Sequence, residues 1–154
     1  MRAIFLLLVL SLFVMRSPAQ TWRVNSLIKK LNNNQFTIVH EEKPGFTMNG
    51  RPAYKLIKIG KPATEKLIAA LSDTTKTIMA HLVLCHIYFK VATFAGPKVI
   101  TVNDKHVSNY FLGQEKGEGL IISETKTNDA YKLYITAENL TTTINFWKNK
   151  TIKK

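Results

Sequence analysis

The sequence predicts an α+β protein, in which a helical cluster is followed by a small antiparallel β-meander and a closing C-terminal helix. Three observations support this class. Apolar residues recur at helical spacing over residues 52–90, whereas short β-branched and aromatic runs separated by turn residues begin after Gly96. Helical spacing then returns over residues 137–150. Residues 20–154 are long enough for one domain with a single modest core, so we expect one globular unit.

The N-terminal segment has the three parts of a secretory signal peptide. A positively charged start precedes an unbroken apolar run over residues 3–14, and the small residues Ser17 and Ala19 occupy the −3 and −1 positions of a cut before Gln20. The run is shorter than the about 20 residues of a membrane-spanning helix, so an uncleaved anchor is the weaker alternative. We therefore expect residues 1–19 to be removed and the protein to be secreted or periplasmic.

The first elements of the mature chain are predicted from periodicity and turn residues. Apolar residues at helical spacing predict an amphipathic helix over residues 24–34, which the asparagine run ends. The alternating segment 35–42 predicts a strand. Residues 43–51 contain Pro-Gly and Asn-Gly pairs, and we expect them to form a turn-rich connection.

Three helices are predicted next, over residues 52–60, 62–72 and 74–90. A proline opens each of the first two helices, and Asp73 is placed to cap the third. The third segment is apolar nearly all round and is too short to span a bilayer, so we expect it to lie at the centre of the core.

The C-terminal half is predicted to contain a meander and a last helix. Turn residues separate four runs that are rich in β-branched and aromatic residues, and lysines gather at the end of the final helix, where the helix dipole favours them. The predicted strands cover residues 98–103, 107–113, 119–124 and 131–136, and the helix covers 137–150.

One helical pair resembles a known repeat. Residues 56–71 follow the pattern L-x-x-I-G-x-P-A-x-x-x-L-I-x-x-L, and Asp73 and an apolar helix come after it. This pattern resembles a single HEAT-like repeat covering residues 51–90, which implies a helical hairpin of that geometry. Such repeats bury their faces by stacking on neighbours, and one copy cannot form a solenoid. As a whole, the chain resembles small exported bacterial proteins of unknown function.

The charge favours anionic partners. The formal net charge is +12, and it becomes +10 when Arg2 and Arg16 leave with the signal peptide. A charge of this size biases a protein towards anionic lipid, lipopolysaccharide or acidic glycans, and export makes nucleic acid the least expected partner. Most lysines are scattered, which also fits an ordinary soluble surface. The aromatic and basic C-terminus is the candidate polyanion contact, and its residues are Trp147, Lys148, Lys150, Lys153 and Lys154. In the alternative, which the sequence favours, Trp147 docks the last helix onto the core.

No spacing marks a catalytic, cofactor or metal site. His81 and His86 are five residues apart, which separates them by about 140° around a helix, so they do not share a metal. Cys85 is the only cysteine, which excludes an intramolecular disulfide and fits a small buried side chain. We expect His81, together with Thr74 and Thr77, to form the polar edge of the central helix.

These observations leave three functional hypotheses. The first is an exported, non-catalytic protein that binds another protein or a peptide through a helical face or the sheet. The second is binding to a polyanion or a membrane surface through basic charge. The third is a hydrolytic enzyme whose catalytic residues lie far apart in the sequence.

Overall fold

The structure is a computed structural model that describes residues 18–103, 105–114, 119–127 and 130–152. It confirms the α+β class, with helices packed against antiparallel sheets and a helix at the C-terminus. Most of the predicted signal peptide lies outside the described residues. The α-helices are α1 (Pro18–Lys29), α2 (Arg51–Ile59), α3 (Thr64–Ala70), α4 (Thr77–Phe89) and α5 (Ala137–Ile152). The strands are β1 (Phe36–Val39), β2 (Gly45–Met48), β3 (Thr93–Val102), β4 (Lys105–Gly113), β5 (Leu120–Thr127) and β6 (Ala130–Tyr134). Two single-turn 3₁₀ segments cover Asn33–Gln35 and Lys61–Ala63.

Helix α1 begins six residues before the predicted start at residue 24, at Pro18, where a proline suits a first helical turn. It buries Val24 and Leu27 against the other helices. The predicted cleavage point before Gln20 falls within its first turn. The asparagine run ends the helix, as predicted, because Asn32 starts the 3₁₀ turn with a capping box.

Helix α4 lies at the centre of the core, as its all-round apolar sequence predicts. Every residue from Thr77 to Cys85 is buried. The predicted cap is wrong, because the helix begins at Thr77 and the Asp73 side chain bonds within the preceding turn. Asn33 caps the helix from a distant part of the chain, since its Oδ1 accepts the Ile78 N–H at 2.9 Å.

Residues 43–51 are not a simple turn, because they contain β2. This strand pairs antiparallel with β1, with Phe36 opposite Met48. The ring of Phe46 stacks on that of Phe36 with centroids 5.4 Å apart. Burial of an aromatic face therefore outweighs the turn residues at either end of the segment.

Strands β3 to β6 form the predicted antiparallel meander in sequential order. Strand β3 begins five residues earlier than predicted, because a bulge between Ala95 and Lys98 lets it continue through the Gly-Pro pair. Gly96 has a φ of 129°, and a Cβ there would lie 2.7 Å from the Asn109 carbonyl oxygen. Only glycine fits this position without a shift of the backbone.

One face of the meander packs on the helices, and α5 closes the structure. Tyr110, Leu112 and Ile122 are buried in the shared core. Near the start of α5, the Asn139 side chain accepts the Ile121 N–H at 2.7 Å and donates to the Gly119 carbonyl at 3.3 Å. This amide fixes the helix to the first residues of β5.

Strand β3 forms one edge of the four-stranded sheet, and its apolar side chains are unusually exposed. Val99, Ile100 and Val102 are 58, 38 and 44% exposed, respectively. Within the described ranges, no helix combines the length and the apolar character needed to cross a bilayer.

Candidate functional site

Trp147 does not lie at the surface, so the predicted polyanion contact loses its aromatic member. The side chain is completely buried, and its indole ring lies between the rings of Tyr88 and Phe146 in the core. The structure supports the alternative from the sequence, in which this residue docks the last helix. The reason is geometric, because the helix turns this position inwards and leaves Lys148 outside.

His81 is also not at a polar edge of the central helix. Its ring is completely buried, with Nε2 2.8 Å from the Leu112 carbonyl oxygen and Nδ1 accepting the Trp147 N–H at 3.1 Å. Nε2 therefore carries the proton of a neutral ring. Burial lowers the pKa of His81 from 6.5 to about 4, and the bond to Leu112 opposes this shift only in part. Thr74 is exposed in the preceding turn, so the expected polar edge does not form.

The remaining members of the predicted polyanion contact do not form one cluster in the described part of the chain. Lys148 is exposed and lines a groove between α3 and α5. Lys150 is half-buried, with Nζ 4.3 Å from the centroid of the Phe89 ring. Lys153 and Lys154 lie outside the described residues.

A second groove, with a volume of about 670 Å³, runs along the outer edge of β6. We call it the β6 groove. Strand β6 is the last strand of the sheet, so alternate residues point their backbone N–H and C=O groups away from β5. We call the apolar side chains of its lining the floor, and the amide and hydroxyl side chains of its lining the wall. The floor contains Phe36, Ile78, Leu133, Ile135 and Leu140, and the wall contains Asn32, Asn34, Thr74 and Thr75.

Hydrogen bonds fix some side-chain groups of the asparagines beside the β6 groove and leave other groups unbonded. Asn33 is fully engaged, because its Nδ2 donates to the Thr74 carbonyl at 2.7 Å while its Oδ1 caps α4. Asn32 Oδ1 accepts the Asn34 N–H at 2.8 Å. Among the described residues, no hydrogen bond uses the side-chain amide of Asn34 or the Nδ2 group of Asn32. These groups are exposed donors and acceptors beside the β6 edge.

Asp73 fixes the threonine part of this wall. Its Oδ1 accepts from both the backbone N–H and the hydroxyl of Thr75, at 3.0 and 2.6 Å, and its Oδ2 pairs with Lys76. The bond from Lys76 and those from Thr75 lower the pKa of Asp73 to about 2. The Asp73 carboxylate is therefore ionised at neutral pH, when it can accept these bonds in the turn before α4.

A polar cluster joins the end of β1 to the large sheet. The Glu124 carboxylate is buried, accepts from the Tyr110 hydroxyl at 3.2 Å, and lies 3.3 Å from His40 Nε2. The other ring nitrogen of His40 lies 3.5 Å from the same hydroxyl, and the ring stacks on Tyr131. Both nitrogens face members of the cluster, so this geometry suits a structural connection better than proton transfer to a substrate. Within the described ranges, no three His, Cys, Asp or Glu side chains come close enough to hold a metal ion.

Sequence reasoning identified neither the β6 groove nor its wall. By sequence alone, residues 32–34 predict only the end of a helix, and residues 131–136 predict only a strand. The fold brings them together because Asn33 is bound to the turn before α4. Three consecutive asparagines are a signal of local capping, and their contribution to a groove depends on that long-range contact.

Comparison with known proteins adds no relationship to this geometry. No protein-family model matches the chain, and no curated protein or solved structure matches it significantly.

Proposed function

We propose that this protein is a non-catalytic binding protein that holds an extended segment of another protein in the β6 groove. The observation that carries the proposal is the position of the β6 edge. Its outward peptide groups lie beside an apolar floor and an amide-rich wall. An extended peptide added to a sheet edge gains main-chain hydrogen bonds, and its alternate side chains enter adjacent pockets.

The polar groups in the wall of the β6 groove suit a peptide backbone. The Nδ2 group of Asn32 can donate, and the side-chain amide of Asn34 can both donate and accept, as peptide groups do. The floor beneath them offers Leu133, Ile135 and Leu140, which are only partly covered. A segment with alternating apolar and small polar residues would bury its apolar side chains there and expose the others.

The same proposal includes export and the HEAT-like hairpin. The charged, apolar and small-residue parts of residues 1–19 support a cleaved secretory signal peptide. The repeat-like pattern over residues 51–90 supports a rigid helical hairpin, and α4, the last helix of this segment, supplies Ile78 to the groove floor. N-terminal sequencing of the protein recovered outside the cytoplasm checks the first part, because a chain that still begins at Met1 would contradict it.

Site-specific photocrosslinking tests the binding role. A photoreactive amino acid replaces Asn34, in the groove wall, or Asn145, which is exposed on α5 and lines neither groove. In cells that produce the protein, we expect a discrete crosslinked partner at position 34 and none at position 145. With the photoreactive residue at position 34, a second change T74W should reduce this crosslink by filling the groove, whereas N145W should not. Equal crosslinking at both positions, or none at position 34, would contradict the proposal.

Polyanion binding is the second candidate, and exposed Lys148 favours it. Contacts of this kind weaken steeply as salt is added, because surface charges are screened within about 8 Å at physiological ionic strength. Retention on heparin that is unchanged at high salt would exclude this mechanism.

A further inference from the structure

A groove between α3 and α5 shares no lining residue with the β6 groove. It has a volume of about 640 Å³, within the range of about 300–1,000 Å³ that is usual for ligand sites. Its apolar floor is formed by Ile68 and Ala69 from α3 and by Ile144 from α5. We call these three side chains the apolar strip; Thr64, Ser72 and Thr151 add hydroxyl groups to the same lining.

The floor is held rigidly from below. The Tyr88 hydroxyl, at the base of the groove, lies 3.1 Å from the Thr64 hydroxyl, which joins α4 to the start of α3. The Tyr88 ring packs on Trp147 with centroids 5.5 Å apart, and Trp147 holds α5 against the core. The distance between the two helices is therefore set by buried contacts, and the groove is present before any ligand arrives.

Charged side chains line the α3–α5 groove on both helical sides. Lys61 lines the groove on the α3 side and Lys148 lines it on the α5 side, and both are exposed. Glu65 is the acidic residue of the lining. Lys150 follows on α5, where its ammonium group is held over the Phe89 ring. The lining itself therefore carries two lysines and one glutamate beside the apolar floor, on a chain whose formal charge is +12.

We propose that the α3–α5 groove binds an acidic amphipathic helix of a partner protein. A third helix is the element that fits between two helices, because its apolar face at i, i+3, i+4 and i+7 can cover the strip. Carboxylates at the borders of that face would meet Lys61 and Lys148. The positive potential of the whole surface would also accelerate the encounter with such a partner.

Three fluorescently labelled peptides test the assignment with the intact protein. The first has leucine at i, i+3, i+4 and i+7 and glutamate elsewhere. In the second, lysine replaces every glutamate, and the third has the composition of the first in a scrambled, non-amphipathic order. By fluorescence anisotropy, we expect the first peptide to bind at least about tenfold more tightly than either of the others. Equal binding of the scrambled acidic peptide would overturn the proposal, because charge alone would then explain the affinity.

Paired variants locate the site. K61E/K148E should weaken binding of the first peptide by more than about tenfold. The control K43E/K105E makes the same change in net charge at exposed positions outside the groove, so it should weaken binding less than about threefold at physiological salt. Equal losses of peptide binding in the two variants would indicate diffuse charge and overturn the assignment. The same conclusion would follow if the protein bound anionic phosphatidylglycerol vesicles more tightly than the first peptide and both variants abolished that binding equally.

A third comparison separates the two grooves. A69W fills the apolar strip and should abolish binding of the acidic amphipathic peptide, whereas A137W, at an exposed position that lines neither groove, should not. A69W should leave photocrosslinking from position 34 unchanged. If A69W binds the acidic peptide as the unsubstituted protein does, the α3–α5 groove is not the site, and this result leaves the role of the β6 groove unaffected.

Discussion

Trp147 donates its indole N–H to Nδ1 of His81 at 3.1 Å, and this bond connects the last helix to the central helix inside the core. On the other side of the same ring, Nε2 bonds to the Leu112 carbonyl of β4 at 2.8 Å. One buried imidazole therefore joins α4, α5 and the sheet. Together the two bonds require the neutral ring, because Nε2 must donate to Leu112 while Nδ1 accepts from Trp147. Protonation of Nδ1 would therefore break the bond to Trp147.

The first prediction concerns pH. Because the pKa of His81 is 6.5 in the unfolded chain and about 4 in the folded one, the unfolded state binds an extra proton between these values. The free energy of unfolding should therefore decrease as the pH falls from about 6.5 to about 4, by about 3 kcal/mol in total from this group. Urea unfolding at a series of pH values measures the decrease. H106Q, at an exposed histidine, should retain it, and a profile that is flat across this window would contradict the prediction.

The second prediction compares the two tryptophans. W147F removes the donor to His81 and leaves a void among buried rings, so we expect a loss of about 2–4 kcal/mol in the free energy of unfolding. W22F makes the same change at a side chain that is 74% exposed, and it should change stability by less than about 0.5 kcal/mol. Chemical denaturation followed by circular dichroism compares both variants with the parent protein. Equal effects of the two substitutions would be inconsistent with the buried contact.

The third prediction concerns the cap that reaches α4 from a distant part of the chain. N33A removes the acceptor for the Ile78 N–H and the donor to the Thr74 carbonyl, so it should cost about 1–2 kcal/mol. N34A is the matched control, because the Asn34 side chain makes no hydrogen bond to a described residue, and it should be nearly neutral. Hydrogen exchange should also show faster exchange in the first turn of α4 for N33A alone. Unchanged exchange there would argue against the cap.

The fourth prediction concerns Tyr110. Burial and the neighbouring Glu124 carboxylate raise the pKa of Tyr110 to about 12. E124Q removes the negative charge, so the pKa of Tyr110 should fall, while burial keeps it above 10. Spectroscopic titration of the five tyrosines should then show one phenol shifting to lower pH. E65Q, in the α3–α5 groove, should leave the titration unchanged, and the same result for E124Q would exclude the contact.

The sequence was informative where one local pattern determined one element. The all-apolar segment 77–89 forms the central helix, and the β-branched runs after Gly96 form a meander in sequential order. Strand β2 was missed because Phe46 forms its strand by packing on Phe36, a partner that no local pattern reveals. The bulge at Gly96 likewise depends on the close approach of the Asn109 carbonyl.

Side-chain roles were harder to predict than elements. The spacing of His81 predicted that it does not share a metal with His86, yet it could not indicate that Trp147 and Leu112 would satisfy both nitrogens. The orientation of Trp147 depends on which face of α5 packs on the core. The aromatic and basic sequence of this helix does not determine that face. Both grooves arise between segments far apart in the chain, so their linings depend on tertiary packing.

The exposed edge formed by β3 has a consequence for the protein in concentrated solution. Its last four residues, from Val99 to Val102, are three aliphatic side chains and a threonine, without a proline or a charge among them. Such a segment is suited to intermolecular cross-β stacking, and Lys98 is the only charged residue within the strand that opposes it. Removal of this one lysine would therefore leave the exposed edge without a charged side chain, and we expect it to favour intermolecular strand pairing.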